Sequence, residues 1–376
     1  MSTDTSKIKL GIRGLAGSLG TSIYCALPKQ KDIELVLGVV RDDETLKRFL
    51  RRRHTLCDYP DQLALLDSFL PKVLLLDKDP PLKAPVSKNG VTLKPLNLED
   101  LSSCAVILDC ATPGTFRVWD TNYYSKLSGT FVLSQAGEFS CSGPLISPPI
   151  VPTTQDSNRI FRLGDCIVSA LVPVISTLVN HFGLTDVSLA ITTQFTDSVD
   201  GTPTSDVADA IHFSDAANPQ KKRDLISLCK TDLDIVSYNQ VIGLRFYDVK
   251  LKGKIKSSSL QAVRSSLLQV PRVRLANGIS GTDDLISLRR FLLNIGLNLP
   301  PIVVSGCSGS GSADNLDFHV SIDHQSIAAC ANLDALRILA CNLDPLVAME
   351  ITDYWMGYRK FDQISDFAKD YVKRFD

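Results

Sequence analysis

The sequence is short of several things, and each shortage removes a class of function. Lysine and arginine number 40 against 41 aspartates and glutamates, a formal net charge of −1. No long-range field of one sign is available to draw the chain onto nucleic acid or an anionic membrane. No stretch approaches the ~20 apolar residues of a membrane-spanning helix, and the opening MSTDTSKIKLGIRG has no apolar run of signal-peptide length. A cytoplasmic protein with neither nucleic-acid nor membrane partners is expected. The ten cysteines include no CxxC pair, and most sit in apolar runs such as CAVILDCA and IAACANL. They read as small buried hydrophobes; neither a disulfide frame nor a metal site is expected. Histidine is also scarce, with five in the chain. His54 and His181 read as surface residues, His212 lies on a loop, and His319 and His324 border a strand, so a structural role outweighs catalysis for each.

What is present is a pattern of short apolar runs ending in glycine- or proline-rich turns. Lys7 to Ile12 is a β-type run that meets the turn Gly14, Leu15, Ala16, Gly17, Ser18, Leu19, Gly20 and then the helix-like TSIYCALPK. Each glycine has a reason: the tight turn, a close approach of backbone to a pyrophosphate, and close helix–strand packing, with the helix N-terminus favouring the anion. The run IELVLGVV (33–40) follows at the spacing of a βαβ unit and ends at Arg41 and Asp42. A basic residue there suits the 2′-phosphate of NADP, an acidic one the ribose of NAD. NADP is the expected cofactor, with NAD possible because Asp42 adjoins Arg41. SSCAVILDCATPG and TFVLSQAGEF (130–139) repeat the strand-then-loop design. Arg41, 111–114 with Thr112, Pro113 and Gly114, and Gln135, Ala136 and Gly137 should therefore face the same crevice as the glycine turn. RRRH (51–54) suits either a phosphate contact or a solvated helix end.

From about 140 to 160 the composition turns to Ser, Pro and Thr, as in a linker or surface loop. FRLGDCIVSALVPVISTLVNHFG then predicts an apolar helix starting near Cys166. Unpaired N–H groups at a helix N-terminus favour a thiolate, which makes Cys166 a candidate nucleophile; the rival reading is one more buried cysteine. Strands are predicted over 186–197, 241–255, 272–278 and 318–326, a hairpin tip over 305–315, and helices over 332–376. The expected fold class is α/β: a Rossmann-type dinucleotide-binding domain over 1–158 joined by 336–376, and an α+β domain on a mixed sheet over 159–335.

These segments, in this order, resemble the glyceraldehyde-3-phosphate dehydrogenase superfamily in its archaeal-type branch. KLGIRGLAGSLG is similar to that branch's opening strand and glycine turn, LGVVRDDETLKRFLRRRH to its second strand and arginine-rich helix, and DCATPG to its DTTPxG loop. FVLSQAGEF resembles FxxGGEK, FRLGDCIVSAL resembles VRVVSCNTTGL, LLQVPRVRL resembles ENTPRIVLI, and DHQSIAACANLDALRIL resembles HQESIVVPENIDAIRA. The resemblance implies a homo-oligomer, dimer or tetramer, that oxidises a phosphorylated aldehyde. Cys166 attacks the carbonyl, hydride passes to NADP and phosphate releases the acyl group. It places Asp165, Ser169 and Lys222 on the substrate side and Asp353 where the family's asparagine holds the nicotinamide amide.

The chain departs from the family at several polar positions. The PSHH segment with the family's base aligns with Pro219-Gln-Lys-Lys222, the Asn-Thr-Thr after the cysteine with Ile167-Val168-Ser169, and an arginine pair with Thr193 and Gln194. TTLMHMH becomes the segment from Asn239 to Arg245, and the lysine after GGE falls at Phe139. Lys222, Lys221 or His212 would have to take over proton transfer. The alternative reading is a catalytically silent nucleotide-binding sensor or assembly subunit. A third, reduction of a semialdehyde or acyl phosphate in amino-acid synthesis, shares the turn and the cysteine but fits the C-terminal segments less well.

Overall fold

Short runs rich in Val, Ile and Leu form nine strands of one sheet: β1 (Ile8–Arg13), β2 (Ile33–Val40), β3 (Val73–Leu76), β4 (Val86–Lys88), β5 (Val91–Pro95), β6 (Val106–Asp109), β7 (Phe131–Ser134), β8 (Leu145–Ile146) and β9 (Ile160–Leu163). The computed structural model describes residues 6–56, 71, 73–76, 86–88, 91–111, 114–135, 141, 143–152, 158–194, 212–213, 218–241, 246–256, 259–276, 279, 282–294, 298–309 and 315–375. The strand order is β4-β5-β3-β2-β1-β6-β7-β9-β8, and eight strands run parallel with β4 antiparallel at the edge. The order reverses between β1 and β6, the switch point at which ligands bind in open α/β sheets. Helices α1 (Ser18–Ala26), α2 (Asp43–Leu56), α3 (Leu98–Ser102) and α4 (Phe116–Asn122) fall between these strands.

Alternation along the strands builds a core on each face of the sheet. Leu10, Ile12, Val106, Leu108 and Leu133 pack with Ile23 and Tyr24 of α1 in one cluster, and Ile107 and Val132 pack with Phe116 and Trp119 of α4 in the other. In β2 the alternation inverts midway: Ile33 and Leu35 join the first cluster, Leu37 and Val39 the second. The register shows why, because Leu10 pairs with Leu35 but Gly11 with Leu37, which leaves Val36 as a bulge. One extra residue moves every later side chain to the other face.

The chain divides into two compact units, Met1–Asp165 with Ala328–Asp376, and Cys166–Ile327. The second unit is built on a mixed seven-stranded sheet of β10 (Thr185–Gln194), β11 (His212–Phe213), β12 (Leu233–Val241), β13 (Phe246–Lys254), β14 (Val273–Leu275), β15 (Ile302–Gly309) and β16 (Asn315–Asp323). Its helices are α5 (Cys166–Phe182), α6 (Asn218–Cys229), α7 (Leu260–Gln269) and α8 (Thr282–Asn294). The last helices are α9 (His324–Cys341), α10 (Pro345–Trp355) and α11 (Asp366–Val372). The α/β class with a second mixed sheet is as the sequence predicts.

Four local expectations differ from the structure. The run 305–315 is not a hairpin tip throughout, because β15 extends to Gly309 and β16 begins at Asn315. The Ser/Pro-rich stretch after 140 is not only loop, because Leu145–Ile146 adds a strand beside β9. The run 318–326 is not strand throughout: β16 stops at Asp323, and the Asp323 carboxylate accepts the Ser326 N–H at 3.3 Å, an N-cap that starts α9 at His324. The run 241–255 contains the end of β12 and all of β13, with 242–245 outside the described residues.

A fully buried polar cluster ties the C-terminal helices to the start of β2. Arg337 on α9 donates to both oxygens of Asp32 at 2.8 Å, to Gln30 at 2.7 Å and to Thr352 of α10 at 2.6 Å, and Tyr371 of α11 donates to Asp32 at 3.0 Å. The Trp355 ring lies 4.9 Å from the guanidinium carbon.

Burial pushes the thiols of Cys104 and Cys229 up to about 12 from an ordinary 9.0. A thiol raised on folding stabilises the fold fully below its unfolded value, and that contribution is lost as pH rises through the folded value. We expect urea midpoints to fall between pH 9 and 12, and Cys104→Ala to flatten that slope; a wild-type midpoint independent of pH over this window would contradict it.

Candidate functional site

The glycine turn lies at the carboxyl end of β1. Gly14 has φ +74°, and a Cβ there would stand 2.6 Å from the backbone carbon and oxygen of Cys110 at the end of β6. A side chain at Gly20 would collide with the Gly14 carbonyl oxygen, so the first turn of α1 sits directly on the loop. Leu15 and Ala16 are buried, Gly17 and Leu19 half-buried, and Ser18 exposed. The turn is held by Gly14 and Leu15 N–H groups donating to the Val39 carbonyl at 3.1 and 3.4 Å, and by Gly17 N–H donating to the Gly14 carbonyl at 2.9 Å. Gly17 is the N-cap of α1 with no side-chain cap, and the first turn contains no acid. Backbone donors and a helix dipole without a competing carboxylate fit a pyrophosphate. Gly14→Ala is expected to weaken binding of NADPH at least about tenfold, because the residue needs both positive φ and contact with the Cys110 peptide. Titration of NADPH fluorescence checks this; unchanged affinity in a folded variant would contradict it.

At the end of β2, Arg41 is exposed and its Nε lies 3.1 Å from Asp42. Asp42 is engaged elsewhere: one oxygen accepts the Thr45 N–H at 2.7 Å and the Thr45 hydroxyl at 2.5 Å, capping α2. The Thr45 hydroxyl, opposed by partial burial and assisted by the Thr45 N–H and Arg41, lowers the Asp42 carboxyl to about 2 from 3.8. This acid is occupied as a helix cap, and the neighbouring guanidinium is the exposed charge.

Gln135 lies just past β7, where its amide exchanges hydrogen bonds with Asn332 of α9 at 2.7 and 3.1 Å, and its N–H donates to the Asp109 carbonyl at 3.3 Å. Gly114 has φ +88° and open space where a Cβ would lie. Thr112, Pro113, Ala136 and Gly137 lie outside the described residues. Asp353 is fully buried in α10, its carboxylate 3.8 Å from Arg359 Nε and its carbonyl accepting the Tyr358 N–H at 2.8 Å. Thus the glycine turn, Arg41, Gly114 and Gln135 gather at the carboxyl ends of β1, β2, β6 and β7, whereas Asp353 belongs to the C-terminal helices.

Sequence reasoning missed Arg13 and Asp109, the last residues of β1 and β6. They form a buried pair, with Arg13 Nη1 donating to the two Asp109 oxygens at 3.0 and 2.8 Å. Tyr124 donates to the same carboxylate at 2.9 Å, and Arg13 lies 4.2 Å over the Trp119 ring. Burial, then the Asp109 charge, keeps the Tyr124 hydroxyl protonated far above its ordinary range. Adjacent register and the 109-DCA-111 sequence were visible, but nothing in spacing marks two charges 96 residues apart as partners.

In the second unit Cys166 is the first residue of α5, a 17-residue helix whose residues from Ile167 to Ser176 are all buried. Such an all-round apolar helix is a rigid mount. Cys166 is half-exposed, whereas Cys104, Cys110, Cys141, Cys229 and Cys330 are buried. Asp165 directly precedes it, and Ser169 stands one turn along, buried. Lys222 on α6 donates to Asp234 of β12 at 2.8 Å, and Asp234 is lowered by that hydrogen bond and charge. Lys221 lies 5.6 Å from the Tyr238 ring, whose hydroxyl is 3.5 Å from Thr193. The side chain of His212 is outside the described residues. The His324 ring stacks on Tyr247 at 4.7 Å. Among the described residues no group of three acids, histidines or cysteines is placed to hold a metal ion, and no helix is long and apolar enough to cross a membrane.

No family model and no curated protein matches this chain. Solved structures do. Aspartate semialdehyde dehydrogenase II of Vibrio cholerae, complexed with ASA, is 11% identical with TM-score 0.59, covering 93% of this chain and 100% of that one. Aspartate semialdehyde dehydrogenase of Candida albicans with NADP is 12% identical with TM-score 0.61, covering 92% and 99%. A probable aspartate-semialdehyde dehydrogenase of Pseudomonas aeruginosa is 11% identical with TM-score 0.59, covering 90% and 98%. At these identities the likeness is one of fold, and the chain has the fold of the aspartate-semialdehyde dehydrogenases along nearly its whole length.

Proposed function

We propose that the protein is an NADP-linked oxidoreductase that acts on a small aldehyde through Cys166. The observation that carries the reading is the position of that thiol, half-exposed at the first residue of a buried helix, in a chain whose other unit ends β1 in a glycine turn fit for a pyrophosphate. NADP, held by the 14–20 turn and α1 N–H groups with Arg41 toward its 2′-phosphate, would supply the hydride acceptor. Cys166 attacks the aldehyde carbon, and the α5 N-terminus steadies the thiolate. Ser169, one turn along, would offer a hydroxyl to the carbonyl oxygen, and Lys222, once released from Asp234, would attract a substrate phosphate or carboxylate.

The motif order supports a phosphorylated aldehyde such as glyceraldehyde 3-phosphate, and the solved structures support aspartate semialdehyde. Both belong to the same chemistry: oxidation to a thioester and release by phosphate. The test is turnover of each aldehyde with NADP and phosphate. Turnover of one fixes the substrate class, and turnover of neither, in protein that binds NADPH, contradicts the enzymatic reading. Arg41→Ala is expected to weaken NADPH about tenfold and leave NADH unchanged, because only the former meets the lost charge; equal losses for both would contradict the 2′-phosphate assignment.

A second reading, a nucleotide-binding subunit without turnover, draws on the polar groups that depart from the family pattern. Lys222 is engaged by Asp234, and Thr193 meets Tyr238 where the family has an arginine. NADPH binding with an iodoacetamide-inert Cys166 near neutral pH would favour it. The same domain expectation, a cofactor domain over 1–158 with 336–376 and a catalytic-type domain over 159–335, underlies both readings, as does a homo-oligomer.

A further inference from the structure

The Arg13–Asp109 pair lies between the two segments that the cofactor reading requires to be in fixed relation. Arg13 immediately precedes Gly14, and Asp109 immediately precedes Cys110, the residue whose peptide fills the space a Gly14 side chain would need. The pair is in register across β1 and β6, and the strands continue the contact through Cys110 N–H, which donates to the Arg13 carbonyl at 2.9 Å.

Both ends of the following connection are fastened to this one ion pair. Asp109 Oδ1 accepts the Ala111 N–H at 3.1 Å, and Arg13 Nη2 donates to the Thr115 hydroxyl at 2.9 Å. Thr115 is the N-cap residue of α4, yet its side chain makes no cap hydrogen bond. Its hydroxyl is turned to the guanidinium instead. The aromatic wall of Phe116, Trp119 and Tyr124 closes the cluster, with Tyr124 5.5 Å from Phe116 and 5.6 Å from Trp119.

We propose that Arg13 and Asp109 are positioning residues that hold Ala111 and Thr115 in fixed relation to the Gly14 turn, so that the β6 side of the nucleotide site is set before ligand arrives. A buried ion pair is weak evidence for stability in its own right and is better explained where it fixes one geometry. Here the guanidinium fork is needed, because one nitrogen serves the carboxylate and the other Thr115. The proposal rests on the nucleotide-binding reading above.

Thr115→Val tests it while leaving the ion pair intact, with Thr115→Ser as the conservative control. In folded protein with a single cooperative transition, amide exchange at Ala111 and Gly114 should rise about tenfold, the worth of one hydrogen bond to a charged group. The NADPH Kd should rise by a similar factor, KM for NADP should follow it with kcat kept, and Thr115→Ser should restore all three. Arg13→Lys, which keeps the charge without the fork, should behave as Thr115→Val. Unchanged exchange at both amides overturns the positioning role, and raised exchange with unchanged NADPH affinity overturns its service to the nucleotide. Wild-type protein that binds no NADPH would count against the function proposed above, and the exchange measurement would then decide the positioning role alone.

Discussion

Replacing Arg337 with methionine is expected to destabilise the first unit by about 3–5 kcal/mol, because it leaves the Asp32 carboxylate in a fully buried site without its cation. A domain's whole stability is about 5–15 kcal/mol, so the variant should be near the limit of folding. The loss has a definite structure: Asp32 and Gln30 lead into β2, Thr352 belongs to α10, and Arg337 is the common donor to all three, while Tyr371 of α11 donates to Asp32. Asp32→Asn should be similarly harmful, and the two changes together should cost much less than their sum, since each single change already strands the other's partner. Urea unfolding of the single and double variants measures this. Additive losses, or an Arg337→Met midpoint within error of wild type, would contradict the assignment of this cluster as the anchor of the C-terminal helices.

Cys166→Ser is expected to lower turnover by about 10⁴-fold or more, as removal of a covalent nucleophile does elsewhere, with NADPH binding kept because the proposed cofactor contacts lie in the other unit. Retained binding separates this from an unfolding effect. Cys25, also half-exposed, gives the matched control: Cys25→Ser should leave turnover alone, since Cys25 lies within α1, away from its N-terminus. Turnover of Cys166→Ser within tenfold of wild type would remove the cysteine from the mechanism.

The parts of this molecule that were legible in the sequence are those governed by neighbours along the chain. Ile33–Val40 read as one apolar run and forms one strand over those bounds. The glycine turn was legible because each of its three glycines answers a local steric demand, and Gly14 and Gly20 prove to be closed to a side chain. Cys166 was legible because an apolar helix began there.

What was not legible depends on long-range pairing. Arg13 and Asp109 are 96 positions apart, and Arg337 and Asp32 are 305 apart, so their charges looked like ordinary polar positions until the fold brought them together. Gln135 was read as a loop residue facing cofactor, whereas its amide is matched to Asn332. The start of α9 was hidden for the opposite reason: the apolar alternation of β16 runs straight into DHQS, and only the Asp323 cap stops it. Asp42 is a local case, its partner only three residues on. The sequence offers it as a ribose acceptor beside Arg41, and its geometry commits it to Thr45.

The most direct test of a cysteine-mediated, NADP-linked aldehyde oxidation is a single-turnover experiment without phosphate, in which protein in excess is mixed with NADP and either glyceraldehyde 3-phosphate or aspartate semialdehyde. The account predicts NADPH formed in one rapid phase with one of the two aldehydes, an acyl adduct on Cys166 by mass spectrometry, and neither in Cys166→Ser. Absence of NADPH and of adduct with both aldehydes, in protein that binds the nucleotide, would contradict it.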